Sequence, residues 1–409
     1  MSLASVSQSE SKRLLHTYDR HQVLLERGRG CYLYDDRGRK YLDFLSGIGV
    51  NALGHGHPAI RRALVRQAGR VLHTSNLFYH EYQAPLAERL SAISGLERAF
   101  FTNSGTEAVE GALKLARAHA RMRNRNGCRR AWRVLAMTNS FHGRTFAALS
   151  ATWTKKYREP FGPLVPGVRF VRFNDVEDLA RKMDATVCAV LLEPIQGEGG
   201  INAVTPEFFT AARRLTRKHG ALLIADEIQC GLGRTGRYFA YQHYGILPDI
   251  VTLAKPLAAG LPLGAILARE QVAGTLHPGM HGTTFGGGPL ACAVALAFLK
   301  TLERERLLPH VREMGAYFRE RLEGLKKKHA SIREVRGLGL MLGLELDAPD
   351  LAKFAAAEML RHGVIINRTH ETALRFLPPF IIEKKHVDHV VTTLDSVLKK
   401  AESKRRKER

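Results

Sequence analysis

Seven short apolar segments, AFFTN, RVLAMTN, VRFVRF, TVCAVLLEP, ALLIADE, DIVTLAK and GAILA, recur between residues 99 and 268. Several are separated by amphipathic stretches such as TPEFFTAARRLTRKHG. A strand that is apolar on both faces is buried on both faces, which requires helices above and below a mainly parallel sheet. The expectation is an α/β chain whose large domain spans residues 56–310. HPAIRRALVRQAGRVL and EYQAPLAERLSAIS carry helical periodicity before the first strand. The 1–55 segment reads as short strands around a turn at Asp36-Arg37-Gly38 and is expected to join the smaller unit. From residue 311 to 409 the pattern changes to a small α+β unit with strands at IREVRGLGLMLGLEL, GVIINRT and LRFLPP. A chain of 409 residues is long enough for this two-part division.

The net charge of +23 invites a nucleic-acid reading. Much of the excess, however, sits in RMRNRNGCRRAWR at 121–133 and in the tail KKAESKRRKER, which read as a solvated loop and a frayed terminus. No recognition helix or aromatic-interleaved basic stripe accompanies them, so nucleic acid is not expected as a partner. No apolar run reaches the roughly 18 residues of a membrane span, and MSLASVSQSESKRLLHTYDR lacks the apolar region of a secretion signal. The five cysteines (Cys31, Cys128, Cys188, Cys230 and Cys292) are scattered, with no C-x-x-C pair. A reducing cytoplasm without structural zinc is the expectation. His55 and His57 in GHGHP lack partners at metal-ligand spacing and read as a turn.

Ligands of an open α/β sheet sit at the carboxyl ends of its strands. ALLIADE places Asp226 there, and DIVTLAK reads as a strand closed by Lys255, with Pro256 blocking continuation. A charge at such a position is costly unless paired or used. An acid that can grip a pyridinium nitrogen, with a lysine that can condense with an aldehyde, is what pyridoxal 5'-phosphate requires. Asn103-Ser104-Gly105-Thr106 joins a strand to a helix, as a phosphate cradle does; the plain alternative is an N-cap by Ser104 with Glu107 completing a capping box. Phe141 can stack on a ring, Ile228 can pack on one, and Gln229 can bond a phenolic oxygen. Arg144 and Arg375 are candidate carboxylate clamps, and EPIQGEGG brings Glu193 and Glu198 to a glycine-rich loop; a surface ion pair is the plain alternative for each. GLGRTG at 231–236 matches a dinucleotide fingerprint, but no helix follows and the next acid, Asp249, begins a strand. It reads as a flexible glycine loop.

NSGTEA, SFHGRT, EPIQGEGG, ADEIQCGLGRTG, TLAKPLAAGLPLGA, HGTTFGGGPLACA and RGLGLMLGLEL, in this order between Tyr34 and Ile382, closely resemble the class III (ornithine-type, fold type I) aminotransferases. The resemblance implies a seven-stranded-type sheet, pyridoxal 5'-phosphate as cofactor, and a homodimer with shared active sites. It places Lys255 at the Schiff-base lysine and Asp226, Ile228 and Gln229 around the cofactor ring. Gly105 and Thr106 fall at the phosphate, Phe141 at the stacking aromatic, and Thr284 at the threonine that reaches a neighbouring subunit's phosphate. Arg144 and Thr283 match substrate-holding positions. Glu198 and Arg375 match a pair whose arginine is released to take the carboxylate of 2-oxoglutarate. HGRT, EPIQGEGG and LRFLPP look most like the acetylornithine-type members, which implies N2-acetylornithine as amino donor, 2-oxoglutarate as acceptor and a place in arginine biosynthesis. Ornithine, succinylornithine, 4-aminobutyrate or a carrier-protein-bound lysine precursor are the alternative donors. Val109 and Gly288 depart from the family pattern without touching these roles.

Overall fold

The computed structural model describes residues 2–123 and 131–407. The middle of the basic 121–133 stretch, with Cys128, lies outside the described residues. Three N-terminal strands, β1 (Leu25–Arg29), β2 (Tyr32–Asp35) and β3 (Lys40–Asp43), form an antiparallel set. The chain then builds a seven-stranded sheet from β4 (Arg98–Thr102), β5 (Arg133–Met137), β6 (Val168–Val171), β7 (Val187–Leu192), β8 (Leu222–Asp226), β9 (Ile250–Leu253) and β10 (Gly264–Ala268). Its order is β4-β10-β9-β8-β7-β5-β6. All strands run parallel except β10, which is antiparallel to both neighbours. That reversal brings the residues just before β10 to the edge where the parallel strands end.

Alternate residues of the strands enter two separate cores, as the period of two requires. Val134, Ala136, Leu191, Ile224 and Ile266 pack with α1 (Gly105–Arg123), where Val109 is fully buried. Leu135, Met137, Val190, Leu223, Val251 and Leu267 pack on the other face with α2 (Pro206–His219) and α3 (Pro289–Arg304). The ends of α2 show how the sequence sets such a helix. Thr205 accepts from the Phe208 N–H at 3.2 Å, Pro206 opens the first turn, and Gly220 closes it at φ 66°.

The C-terminal unit holds β11 (Ile332–Leu338), β12 (Met341–Leu346), β13 (Asn367–Thr369) and β14 (Ala373–Phe376), in the order β11-β12-β14-β13. Helices α4 (Leu307–Lys326) and α5 (Lys384–Lys407) pack against each other. β3 pairs with Val364–Ile365, so the N-terminal segment is stitched to this unit.

The tail is not frayed: the basic run continues α5 as far as Lys407. Buried His329 explains why. Its two ring nitrogens reach Asp395 at 2.7 Å and Glu402 at 3.1 Å, and Ser331 donates to Glu402 at 2.6 Å. These bonds hold the last turns against the body of the unit, a tertiary contact that a charge count does not reveal. His329→Ala leaves both carboxylates without their central partner, so we expect a loss of about 2 kcal/mol. Urea unfolding followed by a probe on α5 measures it; an unchanged midpoint would show the tail is anchored elsewhere.

Candidate active site

Five parallel strands deliver their following residues to one cavity of about 420 Å³. β4 leads to Asn103, Ser104, Gly105 and Thr106, β5 to Phe141, His142, Gly143 and Arg144, and β7 to Glu193. β8 ends on Asp226 and leads to Ile228 and Gln229; β9 leads to Lys255. Gly260–Leu263 arrive through the reversed β10. Lys255 does not close its strand as the sequence suggests. β9 stops at Leu253 and Lys255 opens a short 3₁₀ turn at φ +24°, a conformation unusual for a side-chain-bearing residue.

The electrostatics are arranged around this lysine and Asp226. Burial pushes the Lys255 amine below its ordinary value, with the charges of Glu198 and Asp226 opposing the shift, which makes it a weaker base than a surface lysine. Asp226 is 3% exposed yet fully engaged. Its Oδ1 accepts from Thr252 Oγ1 at 3.0 Å and the Ile228 N–H at 3.2 Å, and its Oδ2 meets His142 Nδ1 at 2.7 Å. His142 carries no local signal in FHGR, because its partner Asp226 lies 84 residues further along the chain. Glu193 accepts from the Phe141 N–H and the Gly197 N–H, both at 3.0 Å, and so ties the β5 and β7 loops together.

Gly105 and Thr106 open α1, where the first N–H groups have no intrahelical acceptor and the helix dipole favours an anion. The Thr106 hydroxyl is used locally, accepting from the Arg144 and Thr145 N–H groups at 3.2 Å. Gly143, at φ +134°, has no room for a side chain, since a Cβ would lie 2.3 Å from that hydroxyl. The capping box is half made: Ser104 Oγ accepts from the Glu107 N–H at 3.3 Å, but Glu107 turns to the Asn103 N–H at 2.7 Å.

Arg375 is fully buried behind Gln229. It donates to Glu198, to the Gly197 carbonyl at 3.3 Å, to Gln229 Oε1 at 3.1 Å and to Asn367 at 3.1 Å. Burial opposes ionisation of Glu198, but the Arg375 and Lys255 charges hold its carboxyl below the usual range. Arg144 is exposed at the cavity rim. Thr283 and Thr284 do not line this cavity. Thr283 Oγ1 accepts from Asn103 Nδ2 at 3.2 Å, and Thr284 is exposed.

The GLGRTG segment is buried rather than flexible. Arg234 has no exposed surface and donates to the carbonyls of Leu340 and Pro378, which fastens the loop to the C-terminal unit. His55 bonds Asp43 at 2.8 Å and His57 receives the Ala59 N–H at 3.3 Å, so both serve local structure.

Burial raises Glu227, below the cavity, to about 7, although it accepts from the Ala240 and Tyr241 N–H groups. A carboxyl raised from 4.5 to about 7 in the fold adds stability that is complete below its unfolded value and is lost as pH rises through 7. We expect Glu227→Gln to flatten the fall in Tm between pH 5 and 8 by the equivalent of about 3 kcal/mol. A parallel Tm–pH slope in both proteins would refute this.

The donor set suits pyridoxal phosphate. It offers one buried carboxyl for a cationic ring nitrogen, a buried amine of lowered basicity for an aldehyde, and a helix N-terminus for a phosphate. Phe141 and Ile228 line the same cavity, and a Cβ on Gly105 would come within 2.8 Å of Ile228, so glycine is what lets the start of α1 lie against that side chain.

Comparison with known proteins agrees. The family model described as aminotransferase class-III matches residues 15–398. An acetylornithine aminotransferase of Caldanaerobacter subterraneus is 46% identical over 95% of this chain and 98% of its own length. One of Methanocaldococcus jannaschii is 48% identical, over 95% of this chain and 96% of its own. Among solved structures, the ornithine aminotransferase of Toxoplasma gondii superposes with a TM-score of 0.94 at 34% identity, covering 99% of this chain and 96% of that one. The class-III model over residues 15–398 and these relatives, with a buried acid and a buried lysine at the strand ends of a seven-stranded fold type I sheet, establish that the chain belongs to the pyridoxal-phosphate-dependent class-III aminotransferases.

Proposed function

We propose that this protein transfers the terminal amino group of N2-acetylornithine to 2-oxoglutarate, giving N-acetylglutamate 5-semialdehyde and glutamate. The observation that carries the reading is the pair of unlike guanidinium groups. Arg144 stands open at the rim, whereas Arg375 is latched by the internal carboxylate of Glu198. A donor with one carboxylate can use the open clamp while Glu198 covers the other; a dicarboxylate acceptor displaces Glu198 and takes Arg375. Relatives named acetylornithine aminotransferase at 42–48% identity support the same donor.

When bound, pyridoxal phosphate supplies an aldehyde for the amine and a ring that accepts the electron pair of the neighbouring C–H bond. Lys255 Nζ, its basicity lowered by burial, would take up and return the proton on that carbon. Asp226 would be the partner of the cofactor's ring nitrogen, and Thr252, His142 and the Ile228 N–H keep its carboxyl in place.

We also propose a homodimer working in the cytoplasm, with Thr283 and Thr284 completing the partner's site. Leu72, Leu77, Phe78, Tyr79 and Phe285 form an exposed apolar surface around the loop bearing these threonines. Asn76 and His80 bond into that loop, to the Thr283 and Gly287 carbonyls. Apolar exposure on this scale is expected of an interface. Residues 1–55 with 311–409 form the small unit in this reading, and 56–310 the large one. No helix among the described residues is long and apolar enough to cross a membrane.

A donor panel read through bleaching of the bound cofactor's visible absorbance tests the substrate. N2-acetylornithine should bleach fastest and 2-oxoglutarate should restore the spectrum. Faster bleaching by ornithine or 4-aminobutyrate would overturn the donor and leave the reaction class standing.

A further inference from the structure

We propose that Tyr157 is a positioning residue that holds Arg144 ready for the carboxylate of the amino donor. The inference rests on the reading of Arg144 as the donor's clamp. Tyr157 lies on a one-turn helix, Lys155–Arg158, outside the cavity lining and outside every motif in the sequence. The Arg144 guanidinium carbon sits 3.6 Å from the centre of the Tyr157 ring, much nearer than its 5.6 Å from the Phe141 ring. The two rings meet edge to face, with centroids 6.3 Å apart at 87°. Among the described residues Arg144 has no carboxylate partner; its backbone N–H alone is tied, to Thr106 Oγ1. An exposed arginine without an ion pair would ordinarily sample many rotamers.

Stacking solves this without using up the donors. A guanidinium engages an aromatic ring through its flat face, while its N–H groups lie in its own plane and remain free for a bidentate carboxylate. A salt bridge would fix the arginine equally well but would compete with the substrate. Tyr157 also braces Phe141, the ring that lines the cofactor cavity, so one side chain sets the substrate clamp and the cofactor wall relative to each other. The Tyr157 hydroxyl has no hydrogen-bond partner among the described residues, so the work falls to the ring face.

The test compares Tyr157→Ala and Tyr157→Phe in the cofactor-loaded enzyme, using the best donor of the panel. Tyr157→Ala should raise that donor's KM about fivefold, with kcat unchanged. Tyr157→Phe should behave as the parent. Calorimetric binding of 2-acetamidopentanoate, the donor skeleton without its terminal amine, gives a readout apart from turnover and should weaken by the same factor only in Tyr157→Ala. In an Arg144→Ala background, Tyr157→Ala should add nothing. Unchanged donor KM in Tyr157→Ala, or a Tyr157→Phe variant as impaired as Tyr157→Ala, would each overturn the inference. Arg144→Ala without effect on the donor would instead overturn the clamp reading beneath it.

Discussion

Lys255→Ala lowers turnover by about 10⁴-fold, the largest effect expected of any single substitution here. Two functions are lost together, since the same amine anchors the aldehyde and moves the proton. Its burial and the left-handed backbone at φ +24° indicate that the surrounding fold, not local preference, holds it in place. Alanine relieves that burial cost, so the variant should fold and still bind the cofactor through Asp226 and the α1 N-terminus. Two measurements separate the roles. Borohydride reduction should add the cofactor's mass to the peptide carrying Lys255 in the parent and to no peptide in the variant. Steady-state turnover above a hundredth of the parent rate in Lys255→Ala would sink the mechanism.

Asp226→Asn should cost about 10³-fold in kcat with the donor KM little changed. The amide keeps the shape of the carboxylate but not its charge, and that charge is what favours a protonated ring nitrogen. The network around it is built for an anion: Thr252 and the Ile228 N–H both donate to Oδ1, and His142 Nδ1 meets Oδ2. Asparagine turns an NH₂ either toward the Oδ1 donors or toward His142, whose ring proton then moves to Nε2, a buried atom with no partner among the described residues, so a stability loss of about 1–3 kcal/mol accompanies the catalytic one. Holding the two apart requires kcat measured well below the variant's Tm. A variant with parental kcat would mean the ring nitrogen needs no anion.

Much of the site was legible because its parts lie at strand ends, and strand ends are marked in the chain by a switch from apolar runs to Gly, Asn or charge. Asp226, Gly105, Phe141 and Gln229 announced themselves in this way. What was not legible depends on residues distant in sequence. Tyr157 is 13 residues from Arg144 in a polar segment with no periodicity, and only folding sets the ring beneath the guanidinium. The glycine loop at 231–236 reads as mobile from composition, yet Arg234 is buried by contact with carbonyls more than a hundred residues away. The basic tail likewise reads as solvated, and His329 with its two carboxylates makes it a docked helix.

The sequence by itself determined the α/β class, the cofactor chemistry and the family, because alternation of buried strands with helices and a series of short motifs are local properties of the chain. Tertiary structure decided three further things. It reversed β10, a direction that the apolar run GAILA cannot encode because a strand's side chains alternate identically either way. It gave Lys255 its lowered basicity, since desolvation depends on everything packed around the amine. It also distinguished two similar arginines, leaving Arg144 open on an aromatic face and closing Arg375 with Glu198. Charge and residue type are written in the chain, but which charges are paired, buried or left free is a property of the space around them.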